Sequence, residues 1–173
     1  STVFAIGADF LGDWGGQNLM AAYADRRKPS EGMLKHIQAE AGLTLSGSNA
    51  DVRIKARVSE YESILAHIYN KVASSAGLIA VNAPALREDI LTNVNMAASE
   101  LLAAGSSAVV LNGLNTKNAE RLTLSINLAL NSKAFNTSKF VYTSNGNDES
   151  VSAFLADVKI GNVDTVVTLG VNP

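Results

Sequence analysis

Residues 3–6, Val-Phe-Ala-Ile, form a short unbroken apolar run closed by Gly7, the pattern of a strand buried on both faces of a parallel sheet. Residues 17–27 read as a short helix with Leu19, Met20 and Tyr23 turned inward. Its end carries Arg26, Arg27 and Lys28, which suit the negative end of a helix dipole, and Pro29 stops it. Residues 34–40 predict a second strand, in which Lys35 and His36 are tolerable toward a sheet edge. Residues 43–50 have loop chemistry, and 52–58 alternate apolar with basic residues as a half-exposed strand does. Ser59 and Glu62 then fit a capping box, and Tyr61, Ile64, Leu65, Ile68 and Val72 mark one face of a helix.

Pro84 suits a helix start, and Leu86, Ile90, Val94, Ala97, Leu101 and Leu102 carry an amphipathic stripe that Gly105 closes. A buried strand at 108–111 breaks on Asn112-Gly113, and a helix over 116–131 follows with Ala119, Leu122, Ile126, Ala129 and Leu130 inward. A strand at 139–143, the Asn145-Gly146 turn, a helix bearing Val151, Phe154, Leu155 and Val158, and a strand at 165–169 complete the series. Strands alternating with helices at this spacing predict parallel pairing, because a parallel crossover needs a dozen or more residues. The expected fold is a three-layer, Rossmann-like α/β domain with a mostly parallel sheet of about five strands.

Composition narrows the function classes. At 173 residues and 47% hydrophobic content, one domain with one core is expected across residues 1–173. Fourteen basic and 16 acidic residues give a net charge of -2, without the basic stripe that a phosphate backbone calls for, so nucleic acid is not an expected partner. Cysteine is absent, which removes disulfides, thiolate metal sites and cysteine nucleophiles from these residues. Every long apolar stretch is interrupted within a few residues, so no membrane insertion is expected and the piece reads as soluble. Opening directly on a strand and ending on Asn172-Pro173, it reads as a domain excised from a longer subunit.

In open α/β sheets ligands lie beyond the carboxyl ends of the strands, so the segments of interest are 7–14, 112–115, 144–147 and 170–173. They are rich in Gly and Asn, which let a backbone approach a ligand and are also the commonest turn formers. The first loop lacks both the Gly-x-Gly-x-x-Gly spacing and the Lys of a P-loop. His67 shares a packing face, and His36 has no carboxylate at ligand spacing, Glu40 reaching it only in a helix. Asp9 and Asp13 suit loop capping better than acid-base work, and Trp14 suits core packing better than a stacking platform. No catalytic apparatus is apparent.

The ending Gly170-Val171-Asn172-Pro173, after an apolar strand, resembles the Gly-x-Asn-Pro loop with which molybdopterin oxidoreductases hold a pterin guanine dinucleotide. The segment 49–54 followed by a helix looks like another part of that family's pattern. A closer resemblance rests on Gly7-Ala8-Asp9-Phe10-Leu11-Gly12-Asp13-Trp14, on residues 33–40 and on 43–51. Together these are similar to the molybdopterin-oxidoreductase-like region of the large iron-sulfur subunit of bacterial alternative complex III, a quinol-oxidising membrane complex.

That resemblance implies a non-catalytic scaffold with no catalytic or metal-ligating residue of its own. Iron-sulfur clusters would lie elsewhere in the parent subunit, and other domains and subunits of a membrane complex on the periplasmic face would be its partners. It also implies where a retained molybdopterin guanine dinucleotide would bind: Gly170, Asn172, Pro173, Asn112 and Gly113. Gly7-Ala8-Asp9-Phe10 departs from the family's turn, placing a carboxylate where a pyrophosphate would sit and a bulky ring beside it, which argues that the cofactor is lost. The alternatives are a cofactor-competent oxidoreductase domain and a free-standing small-molecule-binding module.

Overall fold

The computed structural model describes residues 1–14, 16–29, 32–136, 138–139 and 146–170. Contacts divide the chain into two compact units, Ser1–Asn136 and Thr137–Pro173.

In the first unit, β1 (Thr2–Ile6), β2 (Lys35–Glu40), β3 (Val52–Lys55) and β4 (Ala108–Asn112) form a parallel sheet in the order β3-β2-β1-β4. This is the expected α/β, Rossmann-like architecture, with four paired strands among the described residues where about five were expected. Between the strands run α1 (Gln17–Arg26), the single turn α2 (Leu45–Ser48), α3 (Tyr61–Ser75) and α4 (Glu88–Ala104), and α5 (Lys117–Ala129) follows β4. The register sets Phe4 beside Ile37 and Val110, and Val3 beside His36 and Val109. Alternation then gives the sheet two unlike faces.

One face carries Phe4, Ile6, Ile37, Ala39, Ile54 and Val110, packed on α3, α4 and α5 through Ile64, Leu65, Ile68, Val94, Leu101 and Ile126. Ile64, Leu65, Ile68 and Leu101 have no exposure at all, and each such side chain contributes about 1.5–3 kcal/mol when fully buried. The other face carries Val3 and Ala5, His36, Gln38 and Glu40, and Val109 and Leu111. There a smaller cluster of Ala5, Ala8, Phe10 and Leu11 gathers Val3, Tyr23 and Leu111 around it.

Side chains close the outer edge of β4. Asn127 accepts from Val110 N and donates to Val110 O, both at 2.9 Å, while Ser132 Oγ donates to Ala108 O at 2.5 Å. Asn127 thus takes the ladder positions that a further strand would use at Val110.

Several local expectations are corrected. β2 is an interior strand, and its polar residues His36, Gln38 and Glu40 are buried against partners instead of lying at an edge. The Ser59–Glu62 capping box does not form. Instead Glu60 accepts from Arg57 N at 2.7 Å across a 3₁₀ turn, Val58–Glu60, and Glu62 accepts from Thr116 Oγ1 at 2.5 Å. α4 begins at Glu88, not at Pro84, because Pro84 lies in an extended strap tied to α3. Ser63 Oγ donates to Pro84 O at 2.5 Å, and the Asn70 amide pairs with both Val81 N and Val81 O. Leu19 and Met20 of α1 are exposed, since α1 meets the second-face cluster through Tyr23.

In the second unit, α6 (Asp148–Lys159) starts on Asn147, whose side chain accepts from Ser150 N at 3.0 Å. Its apolar residues Val151, Phe154, Leu155 and Val158 are exposed. Residues 165–169 form no strand. Val167 and Leu169 are 89% and 93% exposed, because a β-type run becomes a strand only where a neighbouring ladder receives its amides. Of the strand expected at 139–143, residues 140–143 lie outside the described residues, as does Asn145 of the expected turn. No helix among the described residues is long and apolar enough to cross a membrane.

Candidate functional site

The strand order reverses direction at β1, so the position at which such sheets take ligands is the crevice between the carboxyl ends of β1 and β4. In this chain the two strand ends approach closely through their backbones. Gly113 N donates to Ile6 O at 2.9 Å, and a Cβ on Gly113 would overlap the carbonyl oxygen of Gly7. Asn112 is occupied by its own turn: Oδ1 accepts from Leu114 N at 2.8 Å and Nδ2 donates to Leu114 O at 3.1 Å. Asn112 and Gly113, the nucleotide contacts expected in the first unit, stand at the end of β4, where Asn112 shapes the turn and Gly113 meets Gly7. Gly170 belongs to the second unit, exposed and at φ 69°, a left-handed conformation that glycine adopts without strain. Asn172 and Pro173 lie outside the described residues.

At these strand ends lies an open hollow of about 350 Å³, whose lining includes Gly7 and Gly113 themselves with Asp9, Asp13, Glu40 and Tyr61. Among the described residues its lining has three carboxylates and no lysine or arginine, and one of the three, Glu40, is buried and paired with Arg53. Asp9 is committed to the chain itself, with Oδ1 accepting from Ser46 N at 2.8 Å and Gly12 N at 3.3 Å. Burial works to raise its pKa, but the Ser46 hydroxyl and the amides of Ser46, Gly12 and Leu45 outweigh it and hold the carboxyl below its ordinary range. An ionised aspartate thus sits on the amides that open α2. Phe10 is buried too, edge-on to His36 at 5.1 Å and to Tyr23 at 5.9 Å.

The most organised polar group is one that reading the chain for motifs passes over. His36, Gln38 and Glu40 stand at alternate positions on one face of β2, each no more than 2% exposed. Gln38 Nε2 donates to Ala8 O at 3.0 Å, which leaves Gln38 Oε1 to accept from His36 Nε2 at 3.1 Å. His36 Nδ1 then accepts from the Tyr23 hydroxyl at 2.9 Å, whose proton also faces Asn49 O at 3.1 Å. At the other end, Glu40 accepts from Arg53 Nε at 2.5 Å and from Thr44 Oγ1 at 2.6 Å. His36 N donates to Asp51, which Arg27 grips with two nitrogens at 2.5 and 2.7 Å. Burial is the main cause that pushes the His36 pKa down, and Arg27 adds to it against the opposing pull of Gln38, Asp51 and Glu40.

Every member of this ladder is paired within the chain, so it orients strands and loops and leaves no poised nucleophile. Part of the basic triplet at the end of α1 is absorbed in the same way, Arg27 by Asp51 and Lys28 by Asp25 at 2.7 Å. His67 Nε2 donates to Pro84 O at 3.0 Å and ties down the strap before α4. Trp14, expected in the core, is 50% exposed. Among the described residues no three His, Asp or Glu side chains gather where they could hold a metal ion. Comparison with known proteins finds no matching family model and no matching curated protein.

Proposed function

We propose that the chain is a non-catalytic scaffold domain related to molybdopterin oxidoreductases, carried by an iron-sulfur electron-transfer subunit of a quinol-oxidising respiratory complex on the periplasmic face of a bacterial membrane. The relationship rests on the sequence resemblance described above. The observation that carries the non-catalytic part is the state of the carboxyl edge, where Gly113 abuts Gly7 and the hollow at these strand ends is lined by Asp9 and Asp13 with no lysine or arginine among its described lining residues. Like charge at about 4 Å costs roughly 4 kcal/mol at the effective dielectric of a protein surface, so Asp9 and Asp13 disfavour a pyrophosphate here, while Glu40 is paired with Arg53. In this reading the ligand edge of an ancestral nucleotide domain has become an acidic hollow over tightly joined strand ends. Electrons pass through clusters in another domain while this one holds neighbouring parts in place.

The test is elemental and pterin analysis of the full-length protein purified with its native complex. Iron without molybdenum or released pterin is the expected result. Stoichiometric molybdenum with pterin overturns the scaffold reading and makes the domain a cofactor holder; absence of iron as well removes the electron-transfer parentage.

A further inference from the structure

A parallel sheet is normally covered by helices on both faces, and among the described residues of the first unit no helix covers the second face over β4. Over β4 the second face is open as a groove of about 530 Å³, walled by Val109 and Leu111 of the sheet, Trp14 and Tyr23 on one side, and Leu124 and Phe135 on the other. Trp14, Leu124 and Phe135 are exposed there. The wall also contains Thr123 Oγ1, a buried hydroxyl with no partner among the described residues. At the amino ends of the strands the groove runs on into a second hollow of about 450 Å³, which shares Val3, Leu34 and Val109 with it.

The two ends of this channel differ in charge. Glu120 lines it at the carboxyl end of β4, whereas Arg26 and Lys133 line it at the amino end. A covering helix in this fold runs antiparallel to the strands, so its N-terminus would meet Glu120 and its C-terminus would meet Arg26 and Lys133. Those are the signs a helix dipole requires, positive against acid and negative against base. A five-residue strand is about 17 Å long, which matches a helix of about three turns.

We infer that the open face of β4 is a docking groove for an amphipathic helix of a partner protein, laid antiparallel to β4 with a basic first turn and an acidic last turn. Its apolar stripe, at the i, i+3, i+4 and i+7 positions, takes the place of the missing helical layer over Val109 and Leu111. The inference does not depend on the proposed parentage, and the metal analysis and the experiment below fail separately.

Trp14 is the chain's single tryptophan, so its emission reports on the groove. The full chain is titrated with two synthetic 14-residue peptides sharing one leucine stripe, one with lysines in the first turn and glutamates in the last, the other with these charges exchanged. Expected are red-shifted, acrylamide-quenchable emission from the chain alone and a saturable blue shift with the lysine-first peptide. The exchanged peptide should bind about fivefold more weakly at low ionic strength, although its charges favour the free helix. Leu124→Asp should abolish the shift while leaving the urea midpoint in place, and Lys133→Glu should weaken only the lysine-first peptide. The inference is overturned by equal binding of both peptides, or by Trp14 already blue-shifted and protected at every concentration. A blue shift that grows with protein concentration alone assigns the face to a second copy. Uptake of a small apolar dye that neither peptide displaces assigns it to a small ligand; either result sinks the helix proposal.

Discussion

The two faces of this sheet share four strands and almost nothing else. One has an apolar centre sealed by α3, α4 and α5, with Phe4, Ile6 and Ile37 fully buried. The other buries a histidine, a glutamine and a glutamate under Phe10 and Tyr23, and over β4 it is open. The contrast separates two physical jobs. Apolar packing is strong and non-directional, so it supplies most of the stability and tolerates small shifts. The polar ladder is directional, and each bond in it names a partner: Ala8 for Gln38, Thr44 and Arg53 for Glu40, Asp51 for the backbone of His36. It therefore holds the loops after β1 and β2 in one arrangement.

That division of labour is sharpest in a pair of truncations read by urea unfolding at constant m. Leu65→Ala on the sealed face should cost about 2–5 kcal/mol, the range for a well-packed core. Leu111→Ala on the open face should cost about 1 kcal/mol, because that side chain is only half-buried at the groove and no closed cavity is left. Equal losses would show that the second face is as well covered as the first.

Next comes Gln38→Leu, which keeps volume but strands Ala8 O and the His36 Nε2 proton. About 2–4 kcal/mol is expected from two buried groups left unpaired. A neutral result would mean that the ladder contributes no directional constraint. A smaller loss, about 1–3 kcal/mol, is expected for Asn127→Leu, since the Val110 groups it strands lie at a sheet edge. That variant should also self-associate, the freed β4 edge being a template for pairing, and light scattering would detect it.

The smallest effect is a dependence on pH. The folded pKa of His36 lies below the unfolded value of about 6.5, so the unfolded chain binds the proton more readily. The associated stability is present above about pH 6.5 and is lost as pH falls toward the folded value, with a slope of at most about 1.4 kcal/mol per unit for one proton. His36→Gln should flatten the urea midpoint between pH 7 and 5. Asp9 and Asp51, whose folded pKa values are depressed, act only below about pH 4 and leave that window to the histidine.

Much of the sealed face was legible in advance. Ile64, Leu65, Ile68 and Val72 recur at helical spacing, the run at 3–6 has no polar interruption, and both land in the core. The second face was not legible, for a definite reason. Alternating His36, Gln38 and Glu40 look like the outward side of an edge strand, and only the pairing of β2 between β1 and β3 buries them. The same gap separates the run at 165–169, which has every local property of a strand, from the strand that is absent there. At the carboxyl edge, Asn112 and Gly113 carried the residue types of a ligand loop, but whether a backbone approaches a nucleotide or another backbone is not written in the residue type.

By itself, then, the chain determined its class and its apolar helices, because periodicity is local and each period implies one buried side. Tertiary structure decided the strand order, the close approach of Gly113 to Gly7, the fate of Asp9 as an internal hydrogen-bond acceptor, and the opening over β4. Each of these depends on which distant segment arrives beside a residue, and a buried polar group or an uncovered face has no meaning until that neighbour is known.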